Sequence, residues 1–249
     1  MFERSDSLIY SAWHVESNFP GFPFYTIALA CSGPVCTVTN ESAGYTDSFD
    51  KFDLSGEFGE RRPILTKNGI TTIEAFNPAL DEFDQASDFR SYGSWMSHSA
   101  FAVETFTLDY ELPDGFELEL HVRAALVGGE LTGTAPAGTA TWLGLMVGTS
   151  PLGPNRGDIL QGDAALTFDL DGGTMQAAFT DIVNLDRGEP HRVPGIVFAD
   201  IPVDADGTYR KGEEVGDRIH GAFYGPDHAE TAGIFERLNI VGAFGAKRQ

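Results

Sequence analysis

The chain has 249 residues, room for one large β domain or two modest ones, and its 29 glycines and 19 phenylalanines suit many short strands better than helices. A formal net charge of −21 makes nucleic acid and anionic lipid headgroups poor partners. A basic protein or a cationic ligand is electrostatically easier, although solubility alone accounts for such acidity.

No apolar run approaches the roughly 20 residues that cross a bilayer as a helix. The opening Met1-Phe2-Glu3-Arg4-Ser5-Asp6 has no basic segment followed by an apolar core, so it does not read as an export signal. That leaves a cytoplasmic protein, or a mature exported fragment restarted with Met.

Residues 24–29 and 35–39 read as the arms of a hairpin turned by Ser32-Gly33-Pro34. It would bring Cys31 and Cys36, the chain's two cysteines, within bonding distance. A disulfide there closes a small loop, contributes about 2 kcal/mol and favours an oxidising compartment; free buried or reduced thiols are the alternative. Residues 41–62 are acidic with little alternation. The β-branched stretch 70–75 follows the turn signal Asn68-Gly69, and 78–89 reads as a short helix or an acidic loop. Residues 1–91 are thus expected to form a small β-rich handle.

From 92 to 249 the pattern is more regular. Residues 100–110 precede the turn Pro113-Asp114-Gly115. In 117–126, Leu118, Leu120, Val122, Ala124 and Leu126 share one face of a strand, opposite Glu117, Glu119, His121 and Arg123. Strands are also expected over 139–148, 164–170, 174–183 and 196–199. Three more fill 217–249, broken by Gly225-Pro226 and by a turn near Asn239. Half-small, half-aromatic strands suit a tightly curved sheet, and closure removes exposed edges. The expected fold is therefore all-β, an antiparallel up-and-down barrel of eight or nine strands behind the handle, with a sandwich as the alternative. Phe106, Trp142, Phe168, Phe179, Phe198, Phe223, Phe235 and Phe244 are numerous enough to fill its interior.

Catalytic patterns are thin. There is no Gly-x-Ser-x-Gly elbow, His-Glu-x-x-His helix or phosphate-cradling glycine loop. His228 and Glu230 could exchange a proton, but their spacing also suits a turn. The stretches beginning at Asp169 and Asp204 echo calcium loops without the closing Glu, and read as hairpin turns. The six histidines lack metal-ligand spacing, so no metal site and no catalytic residue are expected. The candidate binding residues lie instead on two long loops: Arg156 in 151–162, and Arg187, Glu189, His191 and Arg192 in 184–194.

Several segments resemble one family. They are Phe223-Tyr224-Gly225-Pro226, Glu230, Gly233-Ile234-Phe235 and the run from Gly242 to Arg248. With them go Gly93-Ser94-Trp95, His98 and Phe101; Ala140-Thr141-Trp142-Leu143-Gly144; Gly162-Asp163-Ala164; and Phe179-Thr180. In this order, across 92–248, they resemble the transferrin-binding-protein-like β-barrel domain of bacterial surface lipoproteins. The resemblance implies an eight-stranded barrel with a handle sheet, a cell-surface (outer-membrane) or secreted location, and a non-enzymatic binding role. It does not imply transferrin as the partner. Haem is a possible ligand through an axial His or Tyr, with His191 the first to test; otherwise no cofactor is expected. The alternative function is a small-molecule carrier with its ligand inside the barrel.

Overall fold

The computed structural model describes residues 10–17, 27–32, 35–40, 45–50, 62–77, 86–111, 117–212 and 216–249. Among them every sheet is antiparallel. The first half supplies β1 (Tyr10–Ser17), β2 (Ile27–Ser32), β3 (Val35–Asn40), β4 (Tyr45–Asp50), β5 (Arg62–Lys67), β6 (Ile70–Asn77), β7 (Ala86–Trp95), β8 (Ser99–Glu111) and β9 (Glu117–Gly129). Strands β2-β3-β4 make one small sheet, and β1-β9-β8-β7-β6-β5 make a six-stranded one. Asn68 and Gly69, at φ 52° and 68°, turn β5 into β6 as a two-residue hairpin, as their sequence suggests.

The second half supplies β10 (Ala140–Thr149), β11 (Ile159–Asp169), β12 (Thr174–Asn184), β13 (Glu189–Pro190), β14 (Gly195–Pro202), β15 (Thr208–Lys211), β16 (Asp217–Tyr224), β17 (Glu230–Arg237) and β18 (Ile240–Arg248). They form a nine-stranded sheet in the order β13-β12-β11-β10-β18-β17-β16-β15, with β14 also on β12. The three expected C-terminal strands are present, and the break at Gly225-Pro226 is a single 3-10 turn, Pro226–His228. The ladder ends at β14 and at β15. Among the described residues these two share one isolated bridge, Val203↔Tyr209, beside the turn bond from Asp204 N to Thr208 O (2.8 Å). An all-antiparallel β fold is therefore established, and a fully closed ladder is not.

Several expectations shift. Residues 100–110 and 117–126, expected to open the barrel, are β8 and β9 and pair in the six-stranded sheet; residue 92 lies inside β7. Alternation shows that a strand has a buried face without showing which sheet it joins. Near its end β9 is buried on both faces, with Ala124, Ala125, Leu126 and Val127 all covered. Residues 86–89, read as part of a helix or acidic loop, begin β7. Residues 24–26, 33–34, 78–85 and 112–116, and the expectations resting on them, lie outside the described residues.

Two apolar clusters organise the molecule. On the inner face of the nine-stranded sheet, one cluster draws Trp142, Phe168, Phe179, Phe198, Tyr209, Phe223, Phe235 and Phe244 from β10, β11, β12, β14, β15, β16, β17 and β18 in turn. Phe179 stacks on Phe235 with centroids 4.5 Å apart, and Trp142 lies 4.9 Å from Phe223. Each such fully buried ring contributes about 1.5–3 kcal/mol by leaving water. The expected filling of the concave face by aromatics is present, although Phe106 belongs to β8.

The second cluster joins the two large sheets. Tyr92, Phe101, Val103, Ala125 and Val127 meet Leu145, Val147, Ala232, Ile234, Val241 and Ala243 on the outer face of β10, β17 and β18. Covered on both sides, β18 is buried along Ile240–Ala246, hence its nearly continuous small and apolar text. At Gly245 the sheets approach so closely that a Cβ would stand 2.3 Å from the Phe101 ring. Polar groups fix the register of the contact. Thr72 Oγ1 donates to Gln161 Oε1 (3.0 Å), the Tyr92 hydroxyl bonds to both, and burial pushes its pKa up to about 12. Lys67 Nζ reaches Asp163 (2.6 Å), and Lys247 Nζ reaches Gly69 O (2.7 Å).

Candidate functional site: two loops joined at one end of the sheet

Strand register sets the candidate loops side by side. Thr149 pairs with Ile159, and Leu160 with Asn184, so the β10–β11 and β12–β13 connections leave the same end of the nine-stranded sheet. Because β11 starts at Ile159, the first connection is shorter than expected and spans 150–158. It is wound by bonds from Gly157 N to Ser150 O (2.9 Å) and from Arg156 N to Gly153 O (3.2 Å). The second is a tight turn. Gly188, at φ 67°, donates to Asn184 O (2.9 Å), and Arg187 N donates to Asn184 Oδ1 (3.1 Å).

Two carboxylates tie the loops together. Asp158 Oδ2 accepts from Asn184 Nδ2 (2.7 Å) and from Arg187 Nε (2.8 Å). Asp186 Oδ2 accepts Ile159 N (2.8 Å), while Leu185 N donates to Ile159 O (2.9 Å). Asp186 also binds Arg90 of β7 in a fork, Nη1 to Oδ2 at 2.9 Å and Nη2 to Oδ1 at 2.7 Å. The same guanidinium reaches Glu74 of β6 through Nε (3.0 Å) and Nη2 (2.7 Å). Burial opposes the Arg90 charge, but its bonds to Asp186 and Glu74 outweigh this and raise its pKa. Burial likewise opposes ionisation of Asp186, and the bonds from Arg90 and Ile159 N hold its pKa below the ordinary carboxylate value.

Four of the five candidate side chains are exposed at this end. Arg156 stands on the first loop; Arg187, Glu189 and Arg192 stand on or beside the second. Arg187 is held by Asp158, which raises its pKa. His191 differs. Only 8% exposed, it donates its backbone N–H to Ile182 O (2.8 Å) and accepts Val193 N at Nδ1 (3.3 Å). Burial lowers its pKa. The β12–β13 pairing simply continues through His191 and turns the ring inward, where a loop imidazole was expected.

Arg90, Glu74, Asp158 and Asp186 carry no signal in the sequence that marks them for this site. Each is one charge in an acidic chain, and only the fold joins partners such as Arg90 and Asp186, 96 residues apart.

The His228–Glu230 pair and the two aspartate turns take the structural roles expected of them. Glu230 turns away from His228 and accepts from Ser97 N (2.9 Å), His98 N (3.0 Å) and Ser99 Oγ (2.9 Å). His228 Nε2 donates to Thr134 O (2.8 Å). Asp169 and Asp206 cap their own turns, through Asp171 N (3.1 Å) and Thr208 N (2.9 Å). Among the described residues no three His, Cys, Asp or Glu side chains group to hold a metal ion, and no helix is long and apolar enough to cross a membrane. Cys31 and Cys36 are direct partners in the β2–β3 register.

Fold and site together define an all-antiparallel β protein with a filled concave face and a charged pair of loops at one end. No family model and no curated protein sequence matches the chain. Similarities of low identity are found among solved structures. The chain is similar to intact Ap-TbpB (N and C lobes), at 14% identity and TM-score 0.41, over 96% of this chain and 46% of that one. It is also similar to the N-lobe domain of lactoferrin-binding protein B of Moraxella bovis, at 13% identity and TM-score 0.38, over 68% and 82%. A third is a protein described as a surface lipoprotein, at 11% identity and TM-score 0.39, over 99% and 100%. The chain spans less than half the length of the first of these.

Proposed function

We propose that this is an exported or cell-surface, non-enzymatic binding protein that meets a protein partner with its loop end, through Arg156, Arg187, Glu189 and Arg192. The carrying observation is that one aromatic cluster receives side chains from all eight longer strands of the nine-stranded sheet. That common interior favours an eight-stranded barrel closing between β14 and β15. Filled by rings, such a barrel leaves recognition to the outside, where a rigid sheet holds two cross-linked loops. The surface-lipoprotein resemblance supports the location. The opposed Cys31 and Cys36 favour a disulfide, which intact mass after alkylation without reduction would reveal.

The test uses the full chain and a partner in solution. Transferrin and lactoferrin, after which two of the similar proteins are named, are the first probes, followed by basic serum proteins. A triple variant, Arg156→Ala, Arg187→Ala and Arg192→Ala, should lose at least about tenfold in affinity for whichever binds. Unchanged affinity would reject the loops as the contact. Added haem tests the carrier alternative. A stoichiometric Soret shift would overturn the filled-interior reading, and loss of that shift in His191→Ala would identify the ligand.

A further inference from the structure

We infer that Arg90 is a positioning residue for the recognition loops, so that the six-stranded sheet forms a working part of that edge; this rests on the loop-end reading proposed above. The guanidinium is anchored from behind by Glu74 on the neighbouring strand β6, at 2.7 Å. Its forward face meets both oxygens of Asp186 in the fork geometry that makes Arg–carboxylate pairs directional. Asp186 is the residue just before Arg187 and also holds Ile159 N, where the first loop re-enters the sheet. One side chain from the handle therefore sets the carboxylate that fixes the end of one loop and the turn of the other. Arg187 then depends on Asp158, which lies immediately before Ile159.

A lysine offers a point charge and no fork, so it could keep the charge balance without keeping the direction. An isolated exposed ion pair would matter little, but this guanidinium is part-buried against Glu74, and the Asp186 it holds also accepts a backbone N–H.

Hydrogen exchange on the full chain, without any partner, tests this directly. In Arg90→Met, amides over 155–161 and 184–190 should exchange at least about threefold faster, while those of β16, β17 and β18 keep their rates. Arg90→Lys should show an intermediate effect. Asp186→Asn should reproduce the Arg90→Met pattern, and the double variant should add little to either single one. Unchanged loop exchange in both single variants, or equal acceleration along the whole chain, would overturn the positioning role. Should Arg90→Met fail to fold, Arg90→Lys and Asp186→Asn carry the same comparison. Because no partner takes part, loose loops with unaltered capture would reject the loop-end reading while leaving this role intact. Tight loops with lost capture would do the reverse.

Discussion

Leu238 illustrates how single positions are constrained. With Asn239 it forms the two-residue turn between Arg237 and Ile240, and both take positive φ, 53° and 61°. A leucine in that conformation is strained by about 1–2 kcal/mol, and its side chain is 55% exposed. Leu238→Gly is therefore expected to stabilise the protein by roughly 0.5–1 kcal/mol, read as a higher urea midpoint. A lower midpoint would mean that the side chain has a partner worth more than the strain. Glu230 makes the opposite case, as a buried carboxylate serving three donors of the β7–β8 turn. Glu230→Ala should cost about 2–4 kcal/mol, and Glu230→Gln less because its carbonyl still accepts. Equal losses in the two variants would contradict that account.

Histidine titration belongs to the same scale. Burial favours the neutral rings of His191 and His220, so both fold with pKa values below the usual 6.5. Their contribution to stability is complete above pH 6.5 and fades as pH falls toward the folded values. Melting temperature should drop on acidification below about pH 6.5, and His191→Gln should flatten part of that slope. An unchanged slope would show that the ring is solvated. His191 was legible as a residue of the second loop but not as a buried one, because its orientation comes from the Ile182 pairing. The loops themselves were legible from their Pro, Gly and Arg content. Their union through Asp158 and Arg187, 29 residues apart, was not.

Among the elements, the most legible were those with a strong two-residue period. β16 shows it most clearly: Ile219 and Phe223 enter the inner cluster, while Ala222 and Tyr224 face the other sheet. β15, only four residues long, and β13, of two, carry too little pattern to be read. β9 was read correctly as a strand and assigned to the wrong sheet, since its partner β1 begins more than a hundred residues earlier. The contact between the two large sheets depends on a missing side chain at Gly245. Gly245→Ala should force the Phe101 ring aside and cost about 1–3 kcal/mol, with a restoring effect from Phe101→Leu. If the pair of changes is merely additive, the two positions are not in competition for the same space.

At the level of the whole molecule, the loop end sets Arg156, Arg187 and Arg192 beside Asp158, Asp186 and Glu189, a more even balance than the chain's net charge of −21. Pairing also departs from chain order at several places, among them β10. Its neighbours are β11, next in the chain, and β18, whose first residue follows Thr149 by 91 positions (240 − 149). Chains stopped after Asn239 should therefore be digested readily across β10, β11 and β12, and chains extended through Arg248 should resist; equal resistance would show that β18 is dispensable. During translation, Trp142 and Met146 emerge long before the strand that shelters them, and the aromatic interior stays exposed to water until Phe244 arrives. Such a chain is vulnerable to mispairing from β10 onward, and it gains protection in one late step.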